Sequence, residues 1–319
     1  MRIKRSFLFF VVVGVFTSCP ISPPTYYQFD LLDNTHLPAL IIRPSDQALS
    51  SQPVVVISPG YFDSAMGQIS LGWQLAQNGY VVIIPDYDDY VNLLPLPVSN
   101  DDQWEITLVN QWQEDWGNLT NQMAHFGYVL PANLMSGRDW LEEAMGGSLL
   151  INLEDTEANK FFVDLIFGRR QAGLEAILAA ICDPQISFEG KDLIDSKKII
   201  LIGHSIGGLS SLTVASGDDY EISTLVAMAP VSGLLPVSEI HQIKVPTLWL
   251  LADGDFDWIN NPAATRSSYC SGEVVIMEGA THYTFSDLGR LVEIGTDGQV
   301  SEQIQEEIIR FVLTHCPPG

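Results

Sequence analysis

Lys197–Gly208 reads KKIILIGHSIGG, an apolar run that passes without a spacer into Gly-His-Ser-Ile-Gly and one further glycine. A buried strand has no need of a serine fenced by glycines. A strand that turns at once into a helix does need them, because its corner residue takes a strained backbone conformation and side chains at the flanking positions would strike the strand or the helix. The next residues, LSSLTVAS, are helix-compatible, so Ser205 reads as a side chain lifted to the C-terminal edge of a sheet between Gly203 and Gly207.

On both sides of this turn, short Val/Ile/Leu runs alternate with helical patterns. PVVVISPG (53–60), YVVIIPDY (80–87), STLVAMAP (223–230), VPTLWLLA (245–252) and GEVVIMEG (272–279) read as strands. MGQISLGWQLAQNG (66–79), RRQAGLEAILAAI (169–181) and SEQIQEEIIRFVLTH (301–315) read as helices. Strands that are apolar at every position are covered on both faces, which calls for a mostly parallel central sheet with crossover helices on both sides, an α/β fold. Ahead of it, Tyr26–Pro44 holds two strand-like pieces around Asp33-Asn34, expected as an antiparallel hairpin at the sheet edge. Between residues 88 and 159 the alternation stops, and Trp104, Trp112, Trp116 and Trp140 fall there among many amides and acids. This segment reads as an insertion in a domain spanning 27–319. A cap over the site and aromatic packing against the core are equal readings of it.

The 319 residues, 46% of them hydrophobic, suffice for a sizeable core. Fifteen Lys and Arg against 39 Asp and Glu give a net charge of −24, which repels phosphate backbones and anionic lipid surfaces, so nucleic acid is not an expected partner. The N-terminus, MRIKRSFLFFVVVGVFTSC, has the basic start, short apolar stretch and small-residue end of an export signal over residues 1–18. Because it ends at Cys19 and a Pro-rich linker follows over 19–26, it resembles a bacterial lipoprotein signal in which Cys19 is lipidated. Phe16 fits that pattern loosely, and a plain secretory signal is the rival reading. In an exported chain disulfides persist, and Cys270 with Cys316 is the candidate pair, both expected at the bottom of the sheet. Cys182, on an apolar helix, reads as a small buried hydrophobe.

A serine hydroxyl is a weak nucleophile until a base takes its proton. Of six histidines, His282 alone follows an apolar strand late in the chain, in EVVIMEGATHYTFSD. His204 neighbours Ser205 but points elsewhere and is expected to pack or line the pocket; His36, His125, His241 and His315 have no catalytic context. A carboxylate to orient His282 is expected in DGDFDW after VPTLWLLA: counting from the strand start selects Asp255, and counting three on from Gly254 selects Asp257. Asp255 is the preferred choice and Asp257 the alternate. For a developing oxyanion the candidate donors are the backbone N–H groups of Tyr61, in SPGYF, and Ile206, at the start of the helix after Ser205.

PVVVISPGYFDS…LAQNGYVVIIPDY, RRQAGLEAIL, IILIGHSIGG, VPTLWLLADGD and EGATHYTFSD occur in the order found in α/β-hydrolases. They resemble the branch that holds platelet-activating-factor acetylhydrolases, dienelactone-hydrolase-like proteins and cutinase-like polyester hydrolases. The resemblance spans residues 27–316 apart from the insertion. It implies a serine hydrolase without metal or cofactor, with Ser205 as nucleophile, His282 as base and Asp255 as acid, acting on a small-molecule or lipid ester. Dienelactone hydrolases proper carry cysteine at the turn, so serine here implies ester chemistry of the acetylhydrolase or lipase kind. A thioesterase or peptidase of the same fold, and an inactive binding protein, are the alternatives.

Overall fold

The computed structural model describes residues 22, 24–31, 36–44, 51–60, 63–87, 167–255, 257–270, 272–287 and 298–318. Within these, eight strands form one sheet: β1 (Thr25–Asp30), β2 (His36–Ile42), β3 (Gln52–Ser58), β4 (Val81–Pro85), β5 (Ile194–His204), β6 (Ile222–Met228), β7 (Thr247–Ala252) and β8 (Gly272–Met277). Their order is β1-β2-β4-β3-β5-β6-β7-β8. β1 pairs antiparallel with β2 and β2 antiparallel with β4, and every later pairing is parallel. The expected edge hairpin is therefore present, and β1 begins at Thr25, inside the stretch read as linker. The sheet is open, with helices on both faces as the apolar strands require.

Side-chain alternation along the strands divides the core in two. Val54 and Val56 of β3, Leu201 of β5, Ala227 of β6 and Trp249 of β7 face helices α2 (Gly168–Cys182), α3 (Ile206–Ser216) and α4 (Asp257–Arg266), through Leu174, Ile177, Leu209, Leu212 and Ala263. Val55, Ile57, Ile202, Val226 and Leu250 face α1 (Ile69–Gln77) and α5 (Gly298–His315), through Leu71, Leu75, Ile304, Ile308 and Phe311. Strands buried on both sides explain why no polar residue interrupts VVVI, VVII or LVAM. Each such Val, Ile or Leu contributes about 1.5–3 kcal/mol by burial.

The two faces also correct the expected Cys270–Cys316 bridge. Both thiols are free, as is that of Cys182. Cys270 packs on the α2/α3 face and accepts a hydrogen bond from Trp249 Nε1 at 3.3 Å, whereas Cys316 is buried in the α1/α5 face. The sheet stands between them. The strand end that a cysteine occupies does not fix the face of the sheet from which its side chain emerges. Cys182, expected to be buried, is exposed at the end of α2.

Cys19 with the export-signal residues, Tyr61, and the insertion at 88–159 lie outside the described residues. Among the described residues no helix is long and apolar enough to cross a membrane.

Candidate active site

β5 ends at His204, and α3 begins at Ile206, so Ser205 alone makes the turn. Its φ of 55° and ψ of −118° lie where side chains rarely go, at a cost of about 1–3 kcal/mol. The neighbours hold it there. Ser205 N donates to Met228 O at 2.9 Å, and its carbonyl accepts from Leu209 N and Val231 N, each at 3.1 Å. A Cβ at Gly203 would stand 2.3 Å from Gly207 O, and one at Gly207 would stand 2.1 Å from Ser58 O. The glycines therefore let β5, α3 and the end of β3 approach closely enough to enforce the bend.

Two loops at the same edge bring the other groups. After β7, the chain runs through Asp253, Gly254 and Asp255; after β8, it runs through Gly279 and Ala280 into a 3₁₀ turn at His282–Phe285. Asp253 N donates to Met277 O at 3.2 Å, Gly254 N to Ala280 O at 2.9 Å, and Gly279 N to the Asp253 carboxylate at 2.9 Å. This zipper fixes the spacing of the loops and consumes Asp253 as a cap. A capping box formed by Thr281 and Thr284 then starts the turn that carries His282.

The structure brings Ser205, His282 and Asp255 into one hydrogen-bonded chain. His282 Nε2 lies 2.9 Å from Ser205 Oγ, and His282 Nδ1 lies 3.1 Å from each Asp255 carboxylate oxygen. An ionised carboxylate only accepts, so the Nδ1–H donates to Asp255 and leaves the Nε2 lone pair facing the serine hydroxyl. Ser205, His282 and Asp255 are 7%, 9% and 6% exposed, enough enclosure to strengthen each interaction. Asp257 opens α4, and its side chain is outside the described ones. Ile206, as the first residue of α3, has an N–H without an intrahelical partner at the positive end of the helix dipole.

Around these three stand supporting residues: His204, which packs as expected from its place beside Ser205, and Asp63 and Gln68, which had no signal in the sequence beyond their polarity. His204 is buried with its Nε2–H donating to His282 O at 2.9 Å, and its ring centroid is 4.9 Å from that of His282. Burial, and then the His282 ring beside it, push the His204 imidazole down to about 3, so it stays neutral. Asp63, just beyond the SPGYF loop, is buried and accepts from Ser64 N at 2.9 Å and Gln68 Nε2 at 3.0 Å. Gln68 Nε2 also donates to Phe285 O at 3.1 Å, tying the loop after β3 to the turn that carries His282. Burial pushes the Asp63 carboxyl up to about 6 against the opposing pull of Gln68, Ser286, the Ser64 N–H and the Arg170 charge. Among the described residues no group of three or more His, Cys, Asp or Glu side chains is arranged to hold a metal ion.

Comparison with known proteins fits this architecture. The family model for platelet-activating factor acetylhydrolase, isoform II, matches residues 180–295, a span that includes Ser205, Asp255 and His282. No curated protein matches the sequence. A solved structure assigned as a dienelactone hydrolase from Klebsiella pneumoniae subsp. pneumoniae MGH 78578 is 12% identical, with a TM-score of 0.54 over 91% of this chain and 98% of that one. An acetyl xylan esterase from Paenibacillus sp. R4 is 14% identical, with a TM-score of 0.56 over 94% of this chain and 86% of that one. With the open sheet and the strand–Ser205–helix turn described above, these similarities show that the chain has the α/β-hydrolase fold.

Proposed function

We propose that the chain is a serine hydrolase that cleaves carboxylic esters through an acyl-enzyme. The observation that carries this reading is the Ser205–His282–Asp255 chain of hydrogen bonds, built on a strained turn. The match to the acetylhydrolase family model and the fold shared with an acetyl xylan esterase support ester as the bond cleaved.

Ser205 Oγ attacks the ester carbonyl carbon while its proton passes to His282 Nε2. Asp255 holds the ring in the required tautomer and stabilises the imidazolium. The carbonyl oxygen, now an oxyanion, is held by the backbone N–H of Ile206 and that of Tyr61; loss of one such donor costs about 2.7–4 kcal/mol of barrier. Collapse of the intermediate breaks the ester C–O bond, and the alcohol departs with the proton from Nε2. Water then gives its proton to Nε2, attacks the acyl group and releases the acid, with the proton returned to Ser205. His204 takes no part in proton transfer, since it is neutral and its Nε2–H is committed to the His282 carbonyl.

The N-terminal pattern of residues 1–19 supports a site of action outside the cytoplasm, either secreted or held at the cell envelope by lipid on Cys19. The four tryptophans of the segment 88–159 are in keeping with an apolar substrate. Together these favour lipid, short acyl or polyester substrates. Purified protein should hydrolyse p-nitrophenyl acetate and longer acyl esters faster than matched thioesters or anilides, and Ser205→Ala should abolish turnover. A wild type inert to all three classes of substrate and to a fluorophosphonate probe would instead indicate a binding protein on this fold. Mass spectrometry of the mature N-terminus separates a lipidated Cys19 from a plain cleavage.

A further inference from the structure

Arg170 has no part in the mechanism above, yet it is one of the most deeply buried side chains of the fold, at 1% exposed. It lies in the first turn of α2, whose buried face is otherwise apolar: Gly173, Ala180 and four Leu and Ile residues. Burying a guanidinium is costly unless its donors are well placed. Here Arg170 Nη2 donates to the main-chain carbonyl of Gly60 at 2.8 Å, and its Cζ stands 4.7 Å from the centroid of the Tyr87 ring. The Tyr87 hydroxyl in turn donates to Arg170 O at 3.2 Å, so the ring that stacks on the guanidinium also grips its backbone. The same Gly60 carbonyl accepts from Asp63 N at 3.2 Å. Asp63 adds a buried negative charge near enough to interact with Arg170.

Gly60 is the last residue before the candidate oxyanion donor, and it abuts the nucleophile. A Cβ built on it would stand 2.9 Å from His204 Nδ1 and 3.3 Å from Ser205 Cβ. A peptide group is planar and trans, so the carbonyl of one residue and the N–H of the next point in opposite directions. A carbonyl pinned from one side by Arg170 therefore commits the following N–H to the other side. Were the peptide to flip, a carbonyl oxygen would face the developing negative charge in place of a donor.

We infer, on the hydrolase reading given above, that Arg170 is a positioning residue for the oxyanion hole: its guanidinium holds the Gly60 carbonyl and so aims the next backbone N–H at the reacting oxygen. Its planar fork suits this task because it keeps a fixed direction while stacked on Tyr87. A lysine would supply charge without that direction.

The test uses full-length protein with p-nitrophenyl acetate. Arg170→Met should lower kcat by about 10²–10³-fold, the loss associated with one oxyanion donor, with KM changed by no more than about threefold. Arg170→Lys should fall between Met and wild type. Phenylboronic acid, whose oxygen occupies the oxyanion position on Ser205, should lose affinity in parallel with kcat, which a general loosening of the core would not produce. Folded variants with wild-type kcat and boronate affinity would overturn the inference while leaving the hydrolase reading intact. A wild type that neither turns over nor takes a fluorophosphonate would overturn the hydrolase reading itself. If the variants do not fold, a crystal structure of the wild type phosphonylated at Ser205 decides. A phosphoryl oxygen within hydrogen-bond distance of the N–H after Gly60, with Gly60 O still on Arg170, supports the inference; a Gly60 carbonyl released from Arg170 or turned to that oxygen refutes it.

Discussion

His204 donates from Nε2 to the main-chain carbonyl of His282 at 2.9 Å, so the residue next to Ser205 in sequence anchors the turn that delivers the imidazole to it. The nucleophile's position and the base's position are thus coupled through one buried hydrogen bond. Replacing His204 by Phe leaves the His282 carbonyl without this donor, at about 1–3 kcal/mol for an unsatisfied buried group. Esterase turnover should fall with stability, and His204→Gln, which can still donate, should recover part of both. Thermal unfolding and kcat measured on the two variants check this.

The preferred acid is Asp255, which faces His282 Nδ1, while Asp253 is occupied as the cap of Gly279. Asp255→Asn should lower kcat by about 10⁴-fold, because an amide can donate to Nδ1 and favour the wrong imidazole tautomer. Asp257→Asn and Asp253→Asn should leave kcat within about tenfold of wild type. A steady-state comparison of the three variants suffices. Full loss in Asp257→Asn with retention in Asp255→Asn would reverse the assignment.

Gly207→Ala places a Cβ 2.1 Å from Ser58 O and 2.4 Å from Pro59 O, both backbone atoms that cannot swing aside. The turn must shift to accept it. The expected result is a stability loss of about 3 kcal/mol or more, together with loss of fluorophosphonate labelling. Denaturant unfolding and gel-based labelling read the two effects separately.

Two buried groups give the stability opposite responses to acid. Folded Asp63 titrates at about 6 against an ordinary 3.8, because burial disfavours its charge. Between those values the folded chain holds more protons than the unfolded one, so this group's contribution declines as pH rises through the window. Folded His204 titrates at about 3 against an ordinary 6.5, again through burial first. There the unfolded chain holds more protons, and stability declines as pH falls from 6.5 toward 3. Asp63→Asn should therefore gain stability relative to wild type, by up to about 3 kcal/mol, as pH rises from about 4 to 6. His204→Gln should gain relative to wild type as pH falls below about 6.5. Thermal melts of the three proteins across this range carry the prediction; parallel curves for all three would contradict it.

Because Cys182, Cys270 and Cys316 are free and the latter two face opposite sides of the sheet, reductant should leave the melting temperature unchanged. Alkylation of the denatured protein without reduction should modify all three, as read by peptide mass spectrometry.

The parts legible in the sequence were those set by strong local constraints. VVVISPG, IILIGHSIGG and LWLLADGD carry apolar runs and turn residues whose periodicity and glycine placement dictate strand, bend and loop; they single out Ser205 at the bend and leave Asp255 and Asp257 as rival acids in the loop after β7. His282 was legible because it alone follows a late strand. Arg170 was not: in RRQAGLEAIL it reads as one of two basic residues at a helix start, and only the packing of α2 against Gly60 and Tyr87 turns it inward. Asp63 and Gln68 were hidden for the same reason, since their partners Ser286 and Phe285 lie more than two hundred residues away. The cysteine pairing failed because sequence order gives the end of a strand and not the face from which a neighbouring side chain emerges.

The most direct measurement is the intact mass of the protein after brief exposure to p-nitrophenyl acetate at low pH, followed by peptide mapping. Trapping of one acetyl group on Ser205, absent in Ser205→Ala and in His282→Ala, is the predicted result. Ester hydrolysis that persists in Ser205→Ala, or acetyl found only on other residues, would contradict the account.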